Sequence, residues 1–525
     1  MKIKLLSSLT LGLCALSSWG YVNVQDIGST RIYDFSVDGL QISEKIIDGS
    51  TFQTARMIGV DGFEAINYQI GAAELPVLRF EVVAHAANDI VVTERNLKTG
   101  IHYKVNNFKP VFAPVEKIAG ATYKMPKSVQ LNELEGYSIK ELGSVRGEKH
   151  FLVTLFPVQF KNNSLRITSS FGVEVKNAKT KTDVAKGLVF VVGSKFKSSP
   201  SLAKYISLKM SLGFEIDQID AGGKTAEEIR SAIKELYARK SQLKYVILVG
   251  DNEDVASKES EIINGVTDHY YAAINTSDYS SDILTPDLSV GRFSVTSEKE
   301  LSVLVEKYSL YIKGSFTSMN WVNQVAFLAT DDRYLVAEGT HNYVIDTYTK
   351  ERGYTGSFPK SKEAGGDKLY AITHHAQTKD VMNSLLKGRS IVNYSGHGAT
   401  TYWAGPEISQ ENVRSLNYSS LPFVISNACI TGDFREDESF AETWQRHQWG
   451  AVMFWGSMDS TYWDEDDILE KRMFDGIFKD NKVIFGDITQ NALTEFAKFY
   501  DGEGFSSYYW ETYHMFGDPS MDIRL

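Results

Sequence analysis

The feature that most constrains this chain is a change in the period of its apolar residues near position 183. Before it, apolar and polar residues alternate, as in Arg31-Ile-Tyr-Asp-Phe-Ser-Val, Phe151-Leu-Val-Thr-Leu-Phe-Pro-Val-Gln-Phe and the stretch from Leu165-Arg-Ile to Val173-Glu-Val. Alternation of period two marks strands with one buried face, and helical periodicity is scarce there. After it, short runs are mostly apolar without alternation: Gly187-Leu-Val-Phe-Val-Val, Tyr245-Val-Ile-Leu-Val-Gly, Ala326-Phe-Leu-Ala, Ile391-Val-Asn-Tyr, Phe423-Val-Ile-Ser and Val452-Met-Phe-Trp. Helix-like segments lie between them. One starts at Ser201, and another is opened by the capping box Thr225-Ala-Glu-Glu228 and runs through Lys240. Strands apolar on both faces, alternating with helices, predict a mostly parallel sheet with helices on both faces. The chain is therefore expected to carry a β-rich domain over residues 21–182, ending in a polar, Lys-rich linker from Asn177, and an α/β domain over 183–525. The length of the second allows a division into two subdomains near 320.

Residues 1–20 read as an export signal. Lys2 and Lys4 precede a short apolar run, Leu5 to Leu16, and Ser18-Trp19-Gly20 places small residues where a signal peptidase needs them. That run is too short to span a bilayer and no later one is long enough, so the expected product is secreted or periplasmic, without a membrane span. Cys14 follows a leucine, where a lipidated cysteine needs a small residue. Of the 2 cysteines, only Cys429 then remains in the exported chain, which excludes a disulfide framework and a zinc ribbon. Lys+Arg 55 against Asp+Glu 66, a net charge of −11, excludes a general nucleic-acid surface.

In a parallel sheet the working groups sit just past the carboxyl ends of strands. Two ends stand out here. Strand Ser390-Ile-Val-Asn-Tyr runs into Ser395-Gly396-His397-Gly398, and strand Leu421-Pro-Phe-Val-Ile-Ser-Asn runs into Ala428-Cys429. The interval has room for one crossover, so the strands can be parallel neighbours, with imidazole and thiol over one crevice. The thiolate is the nucleophile, and a histidine beside it can take the thiol proton and later protonate a leaving amine. The flanking glycines leave space for a substrate carbonyl, and the N–H groups of Gly398 and Cys429 can form an oxyanion hole. Neither CxxC, HExxH nor GxSxG occurs, which disfavours a metal centre and a serine hydrolase.

Asn393-Tyr-Ser-Gly-His-Gly398, Ala428-Cys-Ile-Thr-Gly-Asp-Phe434, Phe440-Ala-Glu and Phe516-Gly-Asp-Pro-Ser520 resemble the gingipain family of caspase-like cysteine endopeptidases. Gly250-Asp251, Val290-Gly-Arg-Phe293 and Gly353-Tyr-Thr355 follow in the family's order. The resemblance covers roughly 187 to 525 and implies a caspase-like catalytic domain with Cys429 as nucleophile and His397 as its partner. It also implies that the carboxylate orienting the histidine follows the strand Gln324-Val-Ala-Phe-Leu-Ala-Thr, at Asp332 with Asp331 adjacent. For a basic P1 side chain it points to Glu338 as the pocket acid and Trp463 as a pocket wall. No cofactor is expected for the chemistry. Calcium is compatible with the resemblance as a structural ion, near Asp251, Asp268, Asp278 and Asp287, without an assigned ligand set. The acidic run Asp464-Glu-Asp-Asp467 reads as a helix N-terminus favoured by its dipole.

By position, residues 21–182 resemble the family's inhibitory prodomain. That implies a zymogen, cut at Lys179, Lys181 or Lys186, whose partners are protein or peptide substrates and its own prodomain. The expected activity is hydrolysis after Lys or Arg through a thioester. A processing enzyme or transpeptidase, and a non-catalytic secreted binding protein on the same fold, are the alternatives.

Overall fold

The computed structural model of the chain describes residues 21–37, 39–58, 64–101, 107–130, 136–161, 164–176, 186–417 and 420–525. The export signal and the linker positions Lys179 and Lys181 lie outside them, while Lys186 is exposed. Two compact units emerge. The first takes Met1–Val111, Pro126–Lys140 and Phe151–Lys179, and the second Phe112–Met125, Glu141–His150 and Thr180–Leu525. Two pieces of the β-rich region thus belong, by contact, to the α/β unit.

The first unit is antiparallel β structure. Tyr21–Ile27, Thr30–Ser36, Ile90–Ile101, Val158–Lys161 and Ser164–Val175 form a five-stranded sheet. The alternation read from sequence does what period two requires: Phe171, Val173 and Val175 point into one core with Phe35, Phe80, Phe151 and Val153.

The second unit is built on one sheet of ten strands. In chain order these are β1 (Gly187–Val192), β2 (Glu215–Asp220), β3 (Leu243–Val249), β4 (Ser289–Phe293), β5 (Val325–Ala329), β6 (Asp367–Tyr370), β7 (Ile391–Ser395), β8 (Phe423–Asn427), β9 (Met453–Ser457) and β10 (Tyr513–Phe516). Their spatial order is β2-β1-β3-β4-β10-β9-β8-β7-β5-β6. Every pairing is parallel except that between β9 and β10. The sheet is therefore two parallel halves running in opposite directions, continuous across residue 320 and joined where β10 lies against β9. Strands β1, β4, β5, β7, β8 and β9 are buried at every residue, as a parallel sheet covered on both faces requires.

Six helices matter below: α1 (Ala226–Arg239), α2 (Glu298–Lys313), α3 (Tyr334–Val344), α4 (Trp463–Phe478), α5 (Phe485–Phe499) and α6 (Ser506–Thr512). The capping box opens α1 as read, with Glu228 N–H donating to Thr225 Oγ1 at 3.3 Å and Thr225 N–H to Glu228 Oε2 at 2.9 Å. Gly314, in the left-handed region at φ 64°, closes α2. No helix of the described residues is long and apolar enough to cross a membrane.

Candidate active site

Strands β9, β8, β7 and β5 lie side by side, and their carboxyl ends deliver the site in that order. Past β5 come Thr330, Asp331 and Asp332, past β7 comes His397, past β8 comes Cys429, and past β9 comes the segment Thr461–Trp463. Strands β7 and β8 are parallel neighbours in register from Ile391↔Phe423 to Ser395↔Asn427. His397 opens a short hairpin in which His397–Ala399 pairs with Tyr402–Ala404. The backbone there is tight. A Cβ on Gly396 would meet Tyr394 Oη at 2.4 Å, and one on Gly398 would meet the Cys429 carbonyl oxygen at 2.5 Å. After Cys429 the chain turns sharply: Ile430 sits at φ 49°, an uncommon conformation for a β-branched residue, and its N–H donates to Asp459 O.

The Cys429 side chain is buried. Its sulfur accepts the Thr461 N–H at 3.2 Å. Burial pushes the thiol pKa up, while the Thr461 N–H and the Lys117 ammonium pull in the other direction. His397 donates Nε2–H to Asp332 Oδ2 at 2.9 Å. Of the two adjacent carboxylates it is thus Asp332 that reaches the imidazole, whereas Asp331 accepts from Thr330.

The remaining face of the histidine meets the piece of chain at Phe112–Met125. His397 Nδ1–H donates to the Lys117 carbonyl oxygen at 2.8 Å, and Cys429 Sγ lies 3.8 Å from that same oxygen. Around it the segment pairs like an added strand. Lys117 N–H donates to Thr461 O at 2.9 Å, Trp463 N–H donates to Val115 O at 3.0 Å, and Glu116 bridges Tyr462 in antiparallel sense. Arg333 holds the far side, donating to Ala121 O and lying over the Tyr123 ring, while the Tyr123 hydroxyl donates to Asp464.

The Lys117 side chain is fully buried in a pocket beside the thiol. Its Nζ lies 2.6 Å from Asp466 Oδ2 with both side chains essentially inaccessible, donates to the Asn427 carbonyl oxygen at 2.6 Å, and sits 5.0 Å from the Trp463 ring centroid. A charge buried this deeply needs a counter-charge and further hydrogen bonds, and the pocket supplies both. Trp463 also stands edge-on to the His397 ring, centroids 5.4 Å apart.

The structure brings Cys429, His397, Asp332, Gly398 and Trp463 together. It places Glu338 elsewhere: on α3, buried, its carboxylate accepting the N–H and hydroxyl of Thr373. The carboxylate facing the lysine is Asp466, within the acidic run that the sequence offers as a helix start. The available signal was its place on the inward stripe of α4 with Leu469, Glu470 and Met473, where a carboxylate has no reason to be unless something binds it.

The four carboxylates considered for calcium do not converge. Asp268 is held by both arms of Arg292 and by Ser257, Asp251 by Arg446, Asp278 by Ser280, and Asp287 by Arg146 N–H and Tyr237. Among the described residues no three acidic, histidine or cysteine side chains gather to hold a metal ion. The acidic set does not fit a calcium site.

Comparison with known proteins fits this architecture. The chain is 27% identical to Gingipain R2 of Porphyromonas gingivalis over 317 residues, covering 57% of this chain and 40% of the relative. It is 25% identical to Lys-gingipain HG66 of the same organism over 382 residues, covering 62% of this chain and 21% of the relative. The chain thus matches well under half the length of these relatives. Among solved structures, the Arg-specific cysteine proteinase gingipain R superposes with a TM-score of 0.56 at 24% identity, over 66% of this chain and 79% of that one. The complex of pro- and mature domains of RgpB from Porphyromonas gingivalis superposes at 0.53 with 23% identity, over 64% and 79%. The caspase-like fold is common to both. The model of peptidase family C25 matches residues 200–524, and with most of the α/β unit inside that match, the chain belongs to peptidase family C25.

Proposed function

We propose that this chain is an exported cysteine endopeptidase that cleaves after lysine and is made as a zymogen. The observation that carries the reading is Lys117, which lies across the site as a P1 residue would, side chain on an acid, amide paired with Thr461 and carbonyl between the imidazole and the thiol. In a substrate, the Cys429 thiolate attacks the carbonyl carbon. The oxyanion that forms would be met by the Gly398 and Cys429 N–H groups, and His397, oriented by Asp332, would protonate the leaving amine. Water then opens the thioester, with the histidine as base.

The seated segment also accounts for latency. Its carbonyl oxygen accepts a hydrogen bond from His397 Nδ1–H, so that nitrogen is unavailable as a base for the thiol. Burial meanwhile favours the neutral thiol, which is a poor nucleophile. A cut in the linker at Lys179, Lys181 or Lys186 would let the segment leave, and a pocket for lysine could make that cut in trans.

The test is peptide cleavage by the reduced full chain, before and after linker cleavage, with P1 varied across Lys, Arg, Asp, Asn and Leu and with Cys429→Ala alongside. Cleavage after Lys that rises on linker cleavage and disappears in Cys429→Ala is the expected result. Full activity with the two parts still joined would defeat the zymogen reading. Cleavage after Asp or Leu would defeat the pocket assignment.

A further inference from the structure

The pocket around the Lys117 ammonium is built asymmetrically on Asp466. Oδ2 faces the ammonium at 2.6 Å. Oδ1 faces away from it and accepts two phenol hydrogens, from Tyr513 at 2.7 Å and Tyr509 at 3.0 Å. Both tyrosines are buried, and burial together with the neighbouring carboxylate holds their pKa values well above the usual phenol range, so both remain donors. The Tyr509 hydroxyl also accepts the Tyr462 N–H at 3.1 Å, which ties it to the strand that pairs with the bound segment.

A carboxylate oxygen offers about two lone-pair sites, and both on Oδ1 are taken. What faces the pocket is one carboxylate oxygen and the Asn427 carbonyl oxygen. Two separate point acceptors suit an ammonium, a compact charge with three rotatable donors. A guanidinium gains its advantage from a planar fork that engages both oxygens of a carboxylate at once, and here the second oxygen is closed to it.

We propose that Tyr509 and Tyr513 are specificity-determining residues: by occupying Asp466 Oδ1 they make the pocket select lysine over arginine. This rests on the reading of Asp466 as the P1 acid. Removing the Tyr513 hydroxyl would return a lone pair to Oδ1 and open the volume of one oxygen beside it, which is what the second arm of a guanidinium needs.

The experiment compares two peptides that differ only in Lys or Arg at P1, cleaved after linker cleavage by the chain carrying Lys117→Ala, so that the segment can leave and its lysine no longer fills the pocket. Adding Tyr513→Phe should lower the Lys-to-Arg ratio of kcat/KM about tenfold, with arginine cleavage rising in absolute terms through a lower KM. A merely structural role for the phenol cannot produce that gain, because loss of packing lowers both rates together. Tyr509→Phe carries the same expectation and serves where Tyr513→Phe lowers the melting temperature. An unchanged ratio in both variants, or a parallel fall of both rates, overturns the proposal. Asp466→Asn separates the two layers. If it abolishes lysine cleavage while both Tyr→Phe variants keep the parent ratio, the tyrosine inference alone fails. If it leaves lysine cleavage intact, or if no variant cleaves either peptide, the pocket reading fails and the inference with it.

Discussion

At the scale of single residues, Cys429 and Lys117 determine each other's state. Lys117 and its neighbours cover the sulfur, and that cover, more than the nearby ammonium and amide, decides where the thiol titrates: burial raises its pKa. A raised thiol pKa means less thiolate at a given pH. Alkylation of the full chain by iodoacetamide should therefore be slow near neutrality, and linker cleavage, which lets the segment leave, should speed it and move the pH midpoint of the rate downward. A midpoint that stays in place or climbs would show that the segment does not cover the sulfur. The hydrogen bond from His397 to Asp332 makes a second prediction. Asp332→Asn, which keeps the shape and removes the charge, should lower kcat about 100-fold with KM little changed, measured on a lysine peptide after linker cleavage.

At the scale of elements, strand ends carry the chemistry and helices hold them in place. Thr225→Ala removes the cap of α1 and should cost about 1 kcal/mol in urea unfolding without altering kcat/KM, since α1 lies on the other half-sheet from Cys429. The strands that bear His397 and Cys429 were legible because apolar runs ending in Gly-His-Gly and Ala-Cys have few other uses. Asp332 was reachable through the family resemblance, which places the orienting carboxylate after the strand Gln324-Val-Ala-Phe-Leu-Ala-Thr. Asp466 was harder to read, because the four carboxylates from Asp464 to Asp467 at the start of α4 are well accounted for by the helix dipole alone, and its alignment with Leu469, Glu470 and Met473 is a weaker cue. Glu338 had the right spacing along the chain, but spacing does not reveal that Thr373 already satisfies its carboxylate. Lys117 carried no signal at all: Phe112-Ala-Pro-Val-Glu-Lys-Ile has neither helical nor strand periodicity, and its meaning comes from the groove it lies in. Tyr509 and Tyr513 were hidden for the opposite reason, since aromatic residues around a strand start read as ordinary core.

At the scale of the whole molecule, acid should loosen the α/β unit through its buried histidines. His269 is buried, donates from Nε2 to Ile283 O at 2.7 Å and stacks on Trp510 with ring centroids 4.9 Å apart. Burial lowers its pKa from 6.5 to about 4, and buried His514 is lowered as well. A depressed histidine pKa means the fold holds the neutral ring, so its contribution is complete above about pH 6.5 and is lost as pH falls toward 4, by roughly 3 kcal/mol. Urea midpoints measured across that window should fall, and His269→Gln should flatten the fall; a pH-independent midpoint in the parent would contradict it. The reversal of β10 against β9 has one more consequence, which concerns the order in which the ribosome makes the parts. Register Ser457↔Tyr513 means that a residue lining the pocket around the Lys117 ammonium begins a strand made long after Cys429. While the chain is being synthesised, Lys117 and Cys429 both exist before the pocket that pairs them has its second wall. On the proposed function, a nascent chain would carry the nucleophile without its means of choosing a substrate, and selectivity and self-restraint would arrive together, when β10 adds itself to the sheet.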